Sequence, residues 1–139
     1  MAAPADGTEP ISDDEILYRR IPVASEWFDP EVDPRPSPKA FRPRPDDTTG
    51  LSLYRRKYKS PQQVAANPRG ARYYVAELHA GDMRAKGITV IPGPLPGDPG
   101  HAAISDLTYE NRKTSRAMEI QKTLAEELCL GVHGPFSMP

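Results

Sequence analysis

The chain has 139 residues, about one domain's length, with a hydrophobic share of 37% and 17 prolines, well above the usual ~5% proline. No run approaches the ~18 consecutive apolar residues of a membrane span. Nothing at the start has the basic–apolar–small layout of a secretory signal. One cysteine, Cys129, cannot build a disulfide framework or a structural zinc site, so the expected setting is a reducing cytoplasm. No metal is expected and no membrane contact.

The formal net charge of −1 hides an asymmetry. Residues 1–34 carry nine acids and two bases, and residues 35–72 carry ten bases and two acids. Either the acidic segment lies against the basic one, or the basic one forms a surface for phosphate or nucleic acid. A sequence pI near 6.3 disfavours a dedicated nucleic-acid binder, because such affinity rests on summed phosphate neutralisation.

In chain order, residues 1–10 read as a disordered tail, since small and acidic residues cannot repay the entropy of ordering. Residues 11–139 read as a single α+β domain with Pro-rich loops at 23–50 and 92–100. Ser12 to Glu15 fits a capping box and a single helical turn. The run from Ile16 to Ile21 is a strand ended by Pro22. In the loop beyond it, Trp27 and Phe28 are the expected anchors. Ala40 to Arg42 is a candidate short strand, and 46–50 a turn. Leu51 to Arg55 alternates as a half-buried strand should. Ser60-Pro61-Gln62-Gln63 places Ser at N-cap, Pro at N1 and Gln at N3, so a helix runs from Pro61 to about Ala66.

Tyr73 to His79 is a strand whose Leu78 face is buried. A helical turn or two over 81–86 stops at Gly87. A strand at 88–91 ends at Pro92, and the stiff loop 92–100 leads to a short strand at 101–104. From Ser115 to Cys129 the apolar residues Ala117, Ile120, Leu124 and Leu128 step at three and four, the stripe of an amphipathic helix. Gly131 is placed to close it. The resulting fold class is α+β: a small, twisted, mainly antiparallel sheet with short helices and a C-terminal amphipathic helix packed on it. Antiparallel follows from the short connections, since parallel crossovers need a dozen residues or more.

No P-loop, dinucleotide fingerprint or nucleophile elbow is present. Four residues are candidate catalytic groups. His101 follows the rigid loop and can act as acid, base or donor; the alternative is a ring that bonds backbone and fixes that loop. Arg20 sits beside Arg19 in a strand, so one of the two turns inward and needs an anion or carboxylate partner. Ser52 and Tyr54 share one strand face and line a polar pocket or simply face water. Arg42, Arg55 and Arg56 are candidate ligand-binding residues, because charge beside aromatics holds nucleotides; a solvated basic turn is the alternative for Arg55 and Arg56. Glu77 and His79 read as a surface pair, His133 as exposed in the tail, and Cys129 as a small core hydrophobe.

The pieces LYRRIP (17–22), AFRP (40–43), GLSLYR (50–55), AGDMRAKG (80–87) and GHAAI (100–104) resemble a group of short bacterial proteins to which no activity attaches. More remotely, the layout of a strand ending in Arg, a hydroxyl-bearing strand and a Ser-Pro-capped helix is similar to RES-domain and ADP-ribosyltransferase-like toxins. That likeness implies NAD as cofactor, a nicotinamide-dinucleotide pocket lined by Arg20, Ser52 and Tyr54, and an acid supplied by Glu77 or Glu110. The leading expectation is a cytoplasmic interaction or accessory module with a protein partner and no cofactor. The alternatives are an NAD-using transferase or toxin and a nucleic-acid-binding module. Convergence of Arg20, Ser52, Tyr54 and His101 in one pocket favours the transferase, and scatter favours the interaction module.

Overall fold

A computed structural model describes residues 6–23, 35–47, 49–67 and 71–136; Trp27 and Phe28 lie outside them. Period-two alternation builds six strands: β1 (Ile16–Pro22), β2 (Leu51–Arg55), β3 (Tyr73–His79), β4 (Val90–Pro92), β5 (His101–Ile104) and β6 (Gly131–Phe136). They form one antiparallel sheet in the order β4-β5-β2-β1-β3-β6. The helices are α1 (Pro61–Ala65), α2 (Ala80–Ala85) and α3 (Ser115–Thr123), and α3 runs on into a π-helical turn over Leu124–Leu128. The architecture is therefore α+β, and among the described residues no helix is long and apolar enough to cross a membrane.

The two sheet faces differ. Leu17, Ile21, Leu51, Leu53, Leu78 and Ile104 point to one side, where Met83, Ile88, Leu107, Ile120 and Leu124 cover them. Tyr18 and Val75 point to the other, against Val64 and Ala65 of α1. That short helix exists because Ser60 accepts from Gln63 N–H while the Gln63 side chain accepts from Ser60 N–H, with Pro61 at the first position. The reciprocal bonds serve two donors that a helix start leaves free.

Several expectations need correction. Ala40–Arg42 is no strand: Pro38–Phe41 forms a 3-10 turn that buries Ala40 and Phe41. The last helix changes form at Leu124. Cys129 N–H bonds back five residues to Leu124 C=O at 3.0 Å, and the wider turn leaves Leu128 buried. Gly131 is not the cap, since it lacks the positive φ that Gly87 shows at +75°. It opens β6 instead, so His133 lies in a strand rather than an exposed tail. There it is half-buried and bonds Glu77 Oε1 at 3.0 Å. Leu124 is fully buried. Leu124→Ala is expected to cost about 3 kcal/mol, within the range of leucine truncations in cores. Chemical denaturation checks this, and a loss under about 0.5 kcal/mol would contradict the core placement.

The tail expectation fails for residues 6–10. Gly7 N–H bonds the Tyr58 hydroxyl at 3.0 Å, and that hydroxyl donates to Glu9 Oε2 at 2.6 Å. Gly7 holds φ +90°, and a Cβ there would collide with the carbonyl of Pro99, so glycine is required for the approach. Residues 1–5 lie outside the described set. Glu9 also pairs with Lys57 Nζ at 2.8 Å. The bonds from Lys57 and then Tyr58 hold its carboxyl down from the ordinary 4.5 to about 2. A depressed carboxylate stabilises fully above its unfolded value and loses that contribution as pH falls through the folded one. Acid titration of stability should therefore show a component lost between about pH 4.5 and about pH 2, and Glu9→Gln should remove it.

Candidate anion-binding pocket

β1 and β2 are the central pair of the sheet, yet their register stops at Tyr18↔Tyr54. Both strands continue. β1 stays paired with β3 to Pro22↔Tyr73, and β2 stays paired with β5 to Leu51↔Ile104. The half-sheets thus part at one end, and Arg20 would face Ser52 if the ladder went on. Two buried side chains hold the fork open. Asp47 Oδ1 takes Ser52 N–H at 3.3 Å, and Arg19 Nη1 donates to Ser52 C=O at 3.1 Å. Backbone groups leaving a ladder need such replacements.

A cavity of about 90 Å³ lies in this fork, lined by Arg19, Arg20, Arg44, Ser52, Tyr54 and Tyr73, with Asp46 and Asp47 at its wall. Arg19 is only 8% exposed. Its Nε donates to Ala40 C=O at 3.1 Å. Nη2 has no acceptor among the described residues. Burial pushes the Arg19 guanidinium below its ordinary pKa, with the charge of Asp47 opposing that shift. Arg19 is therefore the inward-facing member of the pair. Among the described residues it has no carboxylate within ion-pair distance. The described acids of the N-terminal segment do not pair with it. Arg20 lies 4.8 Å over the Tyr73 ring, a cation–π contact that holds the guanidinium at the cavity.

Ser52 and Tyr54 share one face of β2, and His101 on β5 stands directly opposite Tyr54. The imidazole meets the Tyr54 ring edge-on at 5.8 Å. Burial pushes the Tyr54 phenol above its ordinary value, keeping it a neutral donor. His101 Nδ1 is 2.7 Å from Gly93 C=O and Nε2 is 3.0 Å from Ser52 Oγ. Ser52 Oγ also lies 2.7 Å from Asp47 Oδ1. Of the two readings of His101, the one in which the ring fixes the proline loop holds through Nδ1; through Nε2 the ring reaches Ser52, which lines the cavity, while His101 itself does not line it.

The four candidates Arg20, Ser52, Tyr54 and His101 therefore converge on one side of the sheet. The other three candidates do not join them. Arg55 is wholly buried. Its Nε and Nη2 bond Glu15 at 2.5 and 3.0 Å, and its remaining hydrogens bond the carbonyls of Gly7, Glu9 and Pro10. All five guanidinium hydrogens are used, so no ligand reaches it. Arg56 is exposed on the far side of this network. Arg42 is half-buried beside the 3-10 turn, with its Nε buried and unbonded, and does not line the fork. Cys129 is half-buried, and burial pushes its thiol up, away from the thiolate a nucleophile needs. Arg19, Asp47 and Arg44 escaped the sequence reading as site residues. Arg19 was signalled by the opposite-face argument; Asp47 lay inside a segment read as a turn.

No protein-family model, curated protein or solved structure matches this chain.

Proposed function

We propose that the protein is a small cytoplasmic accessory module that captures a phosphate or carboxylate group in the β1–β2 fork. One observation carries this reading: the buried Arg19, whose Nη2 has no acceptor among the described residues, lines a cavity that Arg20 and Arg44 also line. A buried guanidinium asks for a planar or tetrahedral oxyanion. The volume, about 90 Å³, takes one such group with the rest of its carrier outside. It falls short of the ~300–1,000 Å³ of whole small-molecule pockets, so an entire dinucleotide does not fit inside.

Titration calorimetry with inorganic phosphate and with acetate tests the reading. Binding should weaken with salt, and Arg20→Ala should reduce affinity about tenfold or more, the equivalent of ~1.4 kcal/mol. Absence of binding by either anion would sink it.

A second reading, the NAD-using transferase, draws support from the convergence of Arg20, Ser52, Tyr54 and His101 on one sheet face. It would place only one phosphate or the ribose edge of the dinucleotide in the fork. Release of nicotinamide from NAD, lost in Arg20→Ala, is its test.

A further inference from the structure

We propose that Ser52 is a nucleophile for phosphoryl transfer from a phosphate monoester, with His101 as its base. This rests on the anion-binding reading of the fork and goes beyond it to a reaction. Three observations meet at one atom. A carbonyl can only accept, so the bond to Gly93 C=O places the ring hydrogen on Nδ1 and turns the Nε2 lone pair to Ser52 Oγ, 3.0 Å away. The ring cannot rotate freely, because Gly93 sits in the proline loop and the Tyr54 edge packs against the imidazole. Ser52 in turn lines the cavity that Arg19, Arg20 and Arg44 line. Nucleophile, base, orienting group and oxyanion donors are thus all present in one small space. At rest the Ser52 hydroxyl donates to Asp47 Oδ1 at 2.7 Å; Nε2, 3.0 Å from Oγ, is the second acceptor within reach and takes the proton when the hydroxyl turns toward the ring. Among the described residues Nε2 has no hydrogen-bond partner other than Oγ.

The step balances without a metal ion or cofactor. The monoester's phosphoryl oxygens sit against the guanidinium groups. Ser52 Oγ forms a bond to phosphorus as its proton passes to His101 Nε2. The bond from phosphorus to the alcohol oxygen breaks, and Nε2 returns the proton to that oxygen. Water then attacks the phosphoserine and gives a proton to Nε2. The Ser52 oxygen leaves, regains that proton, and inorganic phosphate departs.

The experiment uses the full chain, p-nitrophenyl phosphate as probe, and phosphate binding measured in parallel. Wild type should release p-nitrophenolate, and mass spectrometry of quenched protein should find a phosphoryl group on Ser52. Ser52→Ala should lower turnover by about a hundredfold or more and leave phosphate affinity within about threefold. His101→Gln should lower turnover similarly and retain binding. The adduct on wild type keeps the test valid if a variant fails to fold. Phosphate bound, with neither turnover nor adduct, overturns the nucleophile and leaves the binding reading intact. Turnover that survives Ser52→Ala also overturns it. No phosphate bound removes both.

Discussion

Deleting residues 1–10 is expected to destabilise the protein by about 3 kcal/mol or more, which thermal melting would read as a fall of roughly 10 °C. The cause is Arg55. Its side chain is completely buried in the core of the fold, and three of its five hydrogens end on carbonyls of Gly7, Glu9 and Pro10. The deletion also takes the Glu9 carboxylate, 3.7 Å from Nη1. A guanidinium stranded in a dry site is costly, because nothing replaces the lost acceptors unless water enters. Glu15→Ala tests the same network from its other side by removing the bidentate carboxylate, with a loss of about 3–5 kcal/mol. Arg55→Met offers the contrast. It removes the charge together with its need for partners, so its cost should be smaller than that of Glu15→Ala. If the deletion leaves the melting temperature unchanged, the segment is not held as described.

This network shows why part of the chain was legible in the sequence and part was not. The strands β1, β2, β3 and β5 and the helix α1 announced themselves through short-range rules: alternation of apolar residues, and a Ser-Pro-x-Gln start. Charge alone offered the pairing of acidic and basic segments as one of two alternatives, and Glu9 and Glu15 against Arg55 and Lys57 realise it. What charge could not show was that Arg55 would be the residue buried. Nor could it show that three backbone carbonyls, those of Gly7, Glu9 and Pro10, would complete the shell begun by the Glu15 carboxylate. Composition made residues 6–10 look disordered because it counts apolar anchors and misses a long-range hydrogen-bond acceptor. β6 was missed for a similar reason. Gly131, Gly134 and Pro135 read as breakers, and only the exposed edge of β3 gives that segment a partner.

The site was half-legible. Strand periodicity placed Ser52 and Tyr54 on one face, and the loop argument singled out His101. Their meeting depends on β5 pairing with β2, a contact between segments some fifty residues apart. The fork itself depends on Asp47, whose role cannot be read from a turn-forming sequence. A turn aspartate ordinarily caps its own loop, as Asp47 does with Arg44 N–H at 2.7 Å. Here it also reaches across to the strand.

Asp47→Ala is accordingly expected to have the second large effect, on stability and on binding together. Three donors lose their acceptor: Arg44 N–H, Ser52 N–H and the Ser52 hydroxyl. Each unserved buried donor costs about 1–3 kcal/mol. Arg19 also loses the charge that opposes its burial. A total near 3 kcal/mol follows if some donors find water. The released Ser52 N–H has one backbone acceptor in register, the carbonyl of Arg20, so the strands can close the ladder beyond Tyr18↔Tyr54. Closure would remove the cavity, and phosphate binding should disappear even though the variant is more positive by one charge. A purely electrostatic site would respond in the opposite sense and bind phosphate more tightly. Asp47→Asn separates the two effects. Its side-chain oxygen still accepts from one donor, so the fork should stay partly open, with stability between wild type and Asp47→Ala. Hydrogen exchange at Ser52 reads the geometry directly: protection of its amide relative to the neighbouring strand should rise in Asp47→Ala if the fork closes. An amide that exchanges faster, together with tighter phosphate binding, would show that Asp47 lines the pocket without holding it open.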